Sequence, residues 1–200
     1  MRKLTEKEIV LATHNKGKVV EMQAILAPYN VTVRSAGEMN LSEPEENGDT
    51  FIANAKIKAL SAAKESGLPA LGDDSGLCVH ALDNRPGIYS ARYNEPKKNG
   101  FKYAMECLNT EMGDAKDRTA HFACALVIAW PDGHTEEFEG RVNGTLCYPP
   151  RGDNGFGYDP MFVPDGYDQS FAELSSAVKN EISHRANALK LFTQGCLGQK

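Results

Sequence analysis

The sequence predicts an α/β fold, and three observations carry that prediction. Residues 8–13 (EIVLAT) form a short apolar, partly β-branched run of the kind found in buried strands. A polar stretch follows, and then Val19, Met22, Ile25 and Leu26 recur at helical spacing until Pro28 stops them. Strand and helix signals go on interleaving to the end of the chain. A length of 200 residues fits one domain, or one domain with two lobes around a cleft. A chain this long buries roughly 70% of its unfolded surface, so it needs neither disulfide nor metal to hold a core.

Taken in order, residues 31–34 predict the next strand. Asp49 or Thr50 can cap a helix running to about Ser66, which Gly67 and Pro69 end. Its apolar stripe is Phe51, Ile52, Ala55, Ala59 and Ala62. Lys58 lies seven residues after Phe51, only about 20° round the helix. It therefore falls at the margin of the buried stripe, where a lysine is costly unless paired. Residues 70–72 read as a strand that runs into Asp73-Asp74-Ser75-Gly76 and resumes at 77–79. Residues 99–112 predict a helix. Residues 119–130 are the longest strand signal, followed by the turn Pro131-Asp132-Gly133 and a return strand over 135–140. A further strand over 142–148, a Gly- and Pro-rich loop over 149–160 and a short strand over 161–163 come next. A closing helix over 183–194 offers Ala186, Leu189, Leu191 and Phe192 for packing.

Composition narrows the partners. Twenty-two Lys and Arg against 27 Asp and Glu leave a formal charge of −5. That balance argues against wrapping duplex nucleic acid, where cationic contacts to phosphate dominate, but it allows a small anionic ligand held by local lysines. No apolar stretch approaches the ~20 residues of a membrane span. The charged start, residues 1–8, lacks the apolar core of a signal peptide. Cys78, Cys107, Cys124, Cys147 and Cys196 are widely spaced, odd in number and without a CxxC pair. Reduced thiols in a cytoplasmic protein are the simplest expectation.

Five segments can carry chemistry. Thr13, His14, Asn15, Lys16, Gly17 and Lys18 put a hydroxyl, an amide and two lysines at a strand-to-helix junction, a layout that suits phosphate. A plain capped loop explains them equally well, and Ala12 and Val19 stand where a Walker A loop needs Gly and Ser or Thr. Asp73 and Asp74 interrupt an apolar strand; they could hold Mg²⁺ or take a proton from water, or mark a polar bulge. Glu43-Pro44-Glu45-Glu46 reads as a solvated loop unless the following helix brings it near the Asp pair. Lys58 would then partner those acids or a phosphate. Phe156, Gly157, Tyr158 and Asp159 could stack on a base or form a tight turn with two core aromatics. Ser183-His184-Arg185 at a helix start could donate to ligand carbonyls or sit on the surface.

Their order is more specific than any one of them. Thr13-x-Asn15-x-Gly17-Lys18, Asp73-Asp74-Ser75-Gly76-Leu77, Pro86-Gly87-Ile88-Tyr89-Ser90-Ala91-Arg92-Tyr93, Gly155-Phe156-Gly157-Tyr158-Asp159-Pro160 and Lys179-Asn180-x-Ile182-Ser183-His184-Arg185 together closely resemble the Ham1/inosine triphosphate pyrophosphatase family. The likeness runs over essentially the whole chain, from about Ile9 to Leu191. It implies a single domain over 1–200, an elongated two-lobed α/β fold with a mixed central sheet flanked by helices, and an active-site cleft between the lobes. It implies hydrolysis of the non-standard purine nucleotides ITP, dITP and XTP to monophosphate and pyrophosphate, with Mg²⁺, by a cytoplasmic homodimer. No membrane or nucleic-acid polymer is expected as a partner.

Carried over by motif, Thr13 to Lys18 resemble the triphosphate loop. Asp74 resembles the general base and a metal ligand, with Asp73 beside it and Ser75 touching substrate. Glu45 stands where the family has a second metal-binding acid, next to Glu46. Lys58 is similar to a phosphate-contacting lysine. Phe156, Gly157, Tyr158 and Asp159 resemble the base-stacking loop, and Lys179, His184 and Arg185 the groups that read the purine. The sequence departs from the family at His14, where Gly is usual, at Ala53 in place of Glu, at Ala177-Val178 in place of acids, and at Ala186 in place of Gly. Residues 94–112 match it poorly. Maf-type pyrophosphatases lack the Ser-His-Arg and Phe-Gly-Tyr-Asp elements, and a non-catalytic nucleotide binder would not need Asp73, Asp74 and Lys58 together.

Overall fold

The computed structural model describes residues 1–93 and 100–198. Its strands are β1 (Glu8–Leu11), β2 (Thr32–Ser35), β3 (Ala70–Val79), β4 (Arg85–Pro86), β5 (Thr119–Ala129), β6 (Thr135–Leu146) and β7 (Phe162–Pro164). Its helices are α1 (Lys16–Leu26), α2 (Phe51–Ser66), α3 (Gly100–Met112), α4 (Ser176–Ile182) and α5 (His184–Phe192). Among the described residues the strands form one sheet in the order β2-β1-β3-β5-β6-β7, with β4 on β3. β1 pairs in parallel with β2 and β3, whereas β4 on β3 and β7 on β6 are antiparallel, so the sheet is mixed and the class is α/β as expected. Among the described residues no helix is long and apolar enough to cross a membrane.

The chain divides into two compact units. The first comprises Met1–Asp74, Cys124–Gly140 and Arg185–Lys200. Its central strands β1, β3 and β5 are buried on both sides, and strand alternation assigns each residue a side. Ile9, Leu11, Leu71, Cys124, Leu126 and Ile128 pack with Met22 and Leu26 of α1 and with Ala188, Leu189 and Phe192 of α5. The intervening Val10, Ala12, Ala70, Ala125, Val127 and Ala129 pack with the alanines of α2. Small residues let that helix come close. A Cβ on Gly72 would lie 2.2 Å from the Ala55 carbonyl oxygen, so only glycine fits there.

The second unit comprises Ser75–Ala123 and Arg141–His184. Leu77 and Val79 of β3, Phe122 of β5, Phe162 of β7 and Phe171 pack with Ala104, Met105, Leu108 and Met112 of α3. Those four helix positions recur at helical spacing, which is why that stretch folds as a helix despite its polar residues.

Several expectations shift. α1 starts at Lys16, three residues before the apolar pattern, because the Asn15 side chain caps it by accepting from the Gly17 and Lys18 amides. β3 continues as a strand through Asp73-Asp74, so these residues do not break it into two strands joined by a turn. The two strands expected over 135–140 and 142–148 are the single strand β6. Phe138, Gly140, Gly144 and Leu146 stay buried at even spacing, so Gly140 is an inward-facing position and not a stop. The closing helix is α5, preceded by α4, whose Ser175 cap was not recognised from sequence. Ala186, Leu189 and Phe192 are buried, but Leu191 points out, being 46% exposed, and Ala188 takes its place in the core. Phe51 and Ile52 are only half-buried, whereas Ala55, Ala59 and Ala62 are covered as expected. The expected helix start at Asn99 lies outside the described residues.

Candidate active site

Strand alternation sends the two adjacent aspartates in opposite directions. Asp73 follows Leu71 toward the α1 and α5 side, and Asp74 follows Gly72 toward α2. Neighbours in sequence therefore meet different partners.

Asp73 is buried and surrounded by cations. Its Oδ1 lies 2.8 Å from Lys18 Nζ and its Oδ2 3.3 Å from Arg185 Nη2. The Cys124 thiol also points at Oδ2, at 3.9 Å. Burial alone would push this carboxyl up, but Lys18, Arg185 and Lys58 outweigh it and hold the group far below the usual carboxylate range. Arg185, itself 2% exposed, is gripped on its other side by Glu21 of α1. Glu21 lies three residues after Lys18, on the same face of α1.

Asp74 sits in a different balance. Its Oδ2 accepts from Asn54 Nδ2 at 3.2 Å, and Asn54 Oδ1 in turn accepts from the Gly48 amide at 2.8 Å. Its Oδ1 lies 3.7 Å from Lys58 Nζ, but that ammonium is closer to Glu46 Oε1, at 2.9 Å. One lysine is thus shared by two acids. Burial and the Glu46 charge outweigh Lys58, Lys18 and the Asn54 bond, and Asp74 is pushed up to about 6. Lys58 is raised as well: burial alone would lower it, but Asp73, Asp74 and Glu46 outweigh burial, so it stays an ammonium.

The 13–18 loop stands at the same end of the first unit's strands. The Asn15 amide donates to Thr13 Oγ1 at 3.1 Å, and Asn15 Oδ1 accepts from Gly17 at 2.9 Å and Lys18 at 3.3 Å. His14 and Lys16 are exposed, whereas Lys18 turns in to Asp73.

In the second unit the 155–159 loop is built around one ion pair. Lys179 Nζ lies 2.6 Å from Asp159 Oδ2, and both side chains are buried. Asp159 Oδ2 also accepts from the Phe156 amide at 2.8 Å. A Cβ on Gly155, whose φ is +75°, would lie 2.1 Å from that same oxygen, so this turn requires glycine. The ammonium sits over the Phe156 ring, 4.7 Å from its centroid. Tyr158 is a core residue whose hydroxyl donates to the Ser90 carbonyl at 2.9 Å, while its ring meets Phe101 edge-on. His184 is buried and stacks on Phe122, with centroids 4.8 Å apart and planes at 14°. Ser75, at the edge of this unit, is half-buried.

The structure therefore gathers Lys18, Lys58, Asp73, Asp74 and Arg185 in the first unit, and Phe156, Asp159, Lys179 and His184 in the second. Two of the expected site residues have these surroundings. Glu45 is exposed, and it is Glu46 that reaches Lys58. Arg185, placed with the purine-reading groups by resemblance, has its guanidinium on Glu21 and Asp73. Asn54, Glu21 and Phe122 escaped sequence reasoning. Asn54 lies four residues before Lys58, on the same helix face, which is a usable signal. Phe122 offered none, being one apolar residue in a long strand.

A sequence profile described as the Ham1 family matches residues 9–195. The chain belongs to the Ham1 family. A dITP/XTP pyrophosphatase of Gluconobacter oxydans is 56% identical over 198 residues, covering 98% of this chain and 95% of its own. Another dITP/XTP pyrophosphatase, from Zymomonas mobilis, is 52% identical over 98% of this chain and 95% of its own. Among solved structures, a HAM1 protein from Coxiella burnetii superposes with a TM-score of 0.85 at 38% identity, covering 94% of this chain and 96% of that one.

Two positions where this Ham1 chain departs from the family pattern are accommodated simply. Ala53 still gives its amide to the Thr50 cap at 3.1 Å, and Ala186 is packed in the interior. The first unit's charge inventory also bears on a metal. Four carboxylates, Glu21, Glu46, Asp73 and Asp74, meet three cations, Lys18, Lys58 and Arg185. Among the described residues Glu46 and Asp74 share the Lys58 ammonium. Two carboxylates on one lysine are hard oxygen donors of the kind Mg²⁺ takes, since it binds through one or two carboxylates and completes its shell with water and substrate phosphate.

Proposed function

We propose that this protein hydrolyses the non-standard purine nucleoside triphosphates ITP, dITP and XTP to the monophosphate and pyrophosphate, acting as a single Ham1-type domain over its whole length. The relatives' activities support that reading, as does one family match spanning both units. The observation that carries the chemistry is Asp74, a buried carboxylate whose affinity for a proton has been raised toward neutrality. A general base works best when its pKa lies near the working pH.

In this reading Asp74 takes a proton from the water that attacks the α-phosphorus, and Asn54 holds the carboxylate in register through Oδ2. Lys58 and Lys18, with Lys16 at the exposed start of α1, neutralise the triphosphate and the charge that develops on the leaving pyrophosphate. Thr13, His14, Asn15 and Gly17 form the loop that receives the phosphates, and Ser75 touches the nucleotide beside Asp74. Glu46 and Asp74 would hold Mg²⁺, with Asp73 anchored behind them on Lys18 and Arg185. Mg²⁺ supplies charge neutralisation on the phosphate oxygens when bound.

The second unit reads the base. Phe156 offers a ring face for stacking, with Gly157 permitting close approach, while Tyr158 and Asp159 hold the loop. Lys179 and His184 carry donors that suit a 6-oxo acceptor and oppose the amino donor of adenine. Sites that hydrogen-bond a substrate group can reject an analogue lacking it by orders of magnitude. A cytoplasmic location and a homodimer belong to the same proposal and rest on the family likeness.

The test is a panel of ITP, dITP, XTP and the four ordinary triphosphates with Mg²⁺, with products identified. Pyrophosphate and monophosphate from the first three are expected. Orthophosphate release, or equal turnover of ATP, would refute the proposal.

A further inference from the structure

A pair of histidines in the second unit has no part in the reaction above. His80, at the end of β3, is exposed, and His121, near the start of β5, is half-buried. His80 Nε2 lies 3.0 Å from His121 Nδ1, and the ring centroids are 5.3 Å apart. On its other side, His80 Nδ1 lies 2.7 Å from Thr119 Oγ1. The Thr119 hydroxyl donates to Asp117 Oδ1 at 2.6 Å, and the Thr119 amide donates to the same oxygen at 2.8 Å.

This chain of contacts determines the tautomer. Thr119 has one hydroxyl proton, and it is committed to the Asp117 carboxylate. The hydroxyl oxygen can then only accept from His80, so Nδ1 of His80 carries the proton. Its Nε2 is left as a lone pair aimed at His121. A metal-binding histidine is held in the same way, with the far ring nitrogen donating to an oxygen that is itself hydrogen-bonded. The gap is also of the right size. At bond lengths of about 2.0–2.1 Å, two nitrogens on one cation lie roughly 2.9 Å apart at a right angle and roughly 3.3 Å apart at the tetrahedral angle. The observed 3.0 Å lies between those values.

We propose that His80 and His121 form a two-imidazole site for a borderline divalent transition cation, with Zn²⁺ as its representative. Asp117 and Thr119 act as the outer shell, and solvent completes the coordination. Imidazole nitrogens favour Zn²⁺, Ni²⁺ and Cu²⁺ over Mg²⁺, which seeks oxygen, so the site is chemically distinct from the carboxylates of the first unit. His121 precedes Phe122, the ring on which His184 stacks, and adjacent strand residues point to opposite faces. The cation would therefore occupy the face of β5 away from the base-reading histidine.

Zn²⁺ is titrated into the full-length protein held in saturating Mg²⁺ and a non-thiol phosphine reductant, while the ring nitrogens are followed by long-range ¹H–¹⁵N NMR. His80 Nε2 and His121 Nδ1 should shift together as Zn²⁺ binds. Calorimetry should show this phase weakened at least tenfold in His80→Gln and in His121→Gln, and kept in His134→Gln. The ring shifts are read on the unaltered chain, so a poorly folded variant cannot decide the matter alone. Binding that leaves either ring unmoved, a His80→Gln protein that binds like the parent, or no Zn²⁺ binding at all would overturn the site and leave the pair as two imidazoles sharing a proton.

Discussion

Each unit buries a lysine against an aspartate, and the two arrangements are built to different ends. In the second unit Lys179 and Asp159 meet at 2.6 Å, with the Phe156 amide on the carboxylate and the Phe156 ring under the ammonium. In the first, Lys58 divides itself between Glu46 at 2.9 Å and Asp74 at 3.7 Å, and Asp74 is left with its pKa pushed up to about 6. A closed pair holds a loop in one shape. A shared lysine divides its charge between two acids, and a carboxylate held in that way can serve a metal, a proton or a phosphate. The difference teaches that burial of an ion pair is not itself a sign of chemistry; a lysine divided between two acids is.

The contrast can be broken at either end. The largest effect is expected in the second unit. Lys179→Met should destabilise the protein by about 3–5 kcal/mol in urea melts, because it leaves Asp159 buried and unpaired. Adding Asp159→Asn to that variant should recover much of the loss, and failure to recover would mean that the pair is not closed as described.

In the first unit the same kind of deletion should act in the opposite direction. Asp74→Asn should lower kcat by at least ~10²-fold and yet raise stability at neutral pH. The sign follows from the raised pKa. Ionising Asp74 costs the folded state more than the unfolded one, so its contribution is fully present below about pH 4 and is lost as pH rises through about 6. The variant's gain, at most about 3 kcal/mol, should therefore grow between those values and level off above them, as read from melting temperature against pH.

A smaller effect is expected for the base loop. Phe156→Ala removes a stacking face worth about 1–3 kcal/mol per base, so KM for ITP should rise roughly 5- to 150-fold with kcat little changed. A matching fall in kcat would place Phe156 in the chemistry and blur the division of labour between the units. The smallest effect is the position of the acid limb. kcat/KM should climb with pH through about 6 at low Mg²⁺, and the limb should move to lower pH as Mg²⁺ saturates the carboxylates.

Much of this architecture was legible in the sequence. The 8–13 run, the capped helix after Thr50 and the order of the motifs led to the fold, and Lys58 betrayed itself by standing on a buried stripe. What stayed hidden depended on contacts made far along the chain. Nothing local distinguishes Asp73 from Asp74; the side of the strand each faces decides which meets Lys18 and Arg185 and which meets Asn54 and Lys58. Nor does the Glu45-Glu46 pair reveal which acid turns inward. Arg185 read naturally with its neighbour His184, but helix geometry points adjacent residues about 100° apart. One lands on Phe122 and the other on Glu21, at the far end of the sequence.

Everything in the proposed reaction turns on Asp74 being held with a raised proton affinity. Its side-chain carboxyl carbon can be followed by ¹³C NMR as a function of pH, with and without Mg²⁺. A midpoint of about 6 without the metal and a clear downward shift when Mg²⁺ is added are expected. A midpoint in the ordinary range of about 4, unmoved by Mg²⁺, would contradict that role.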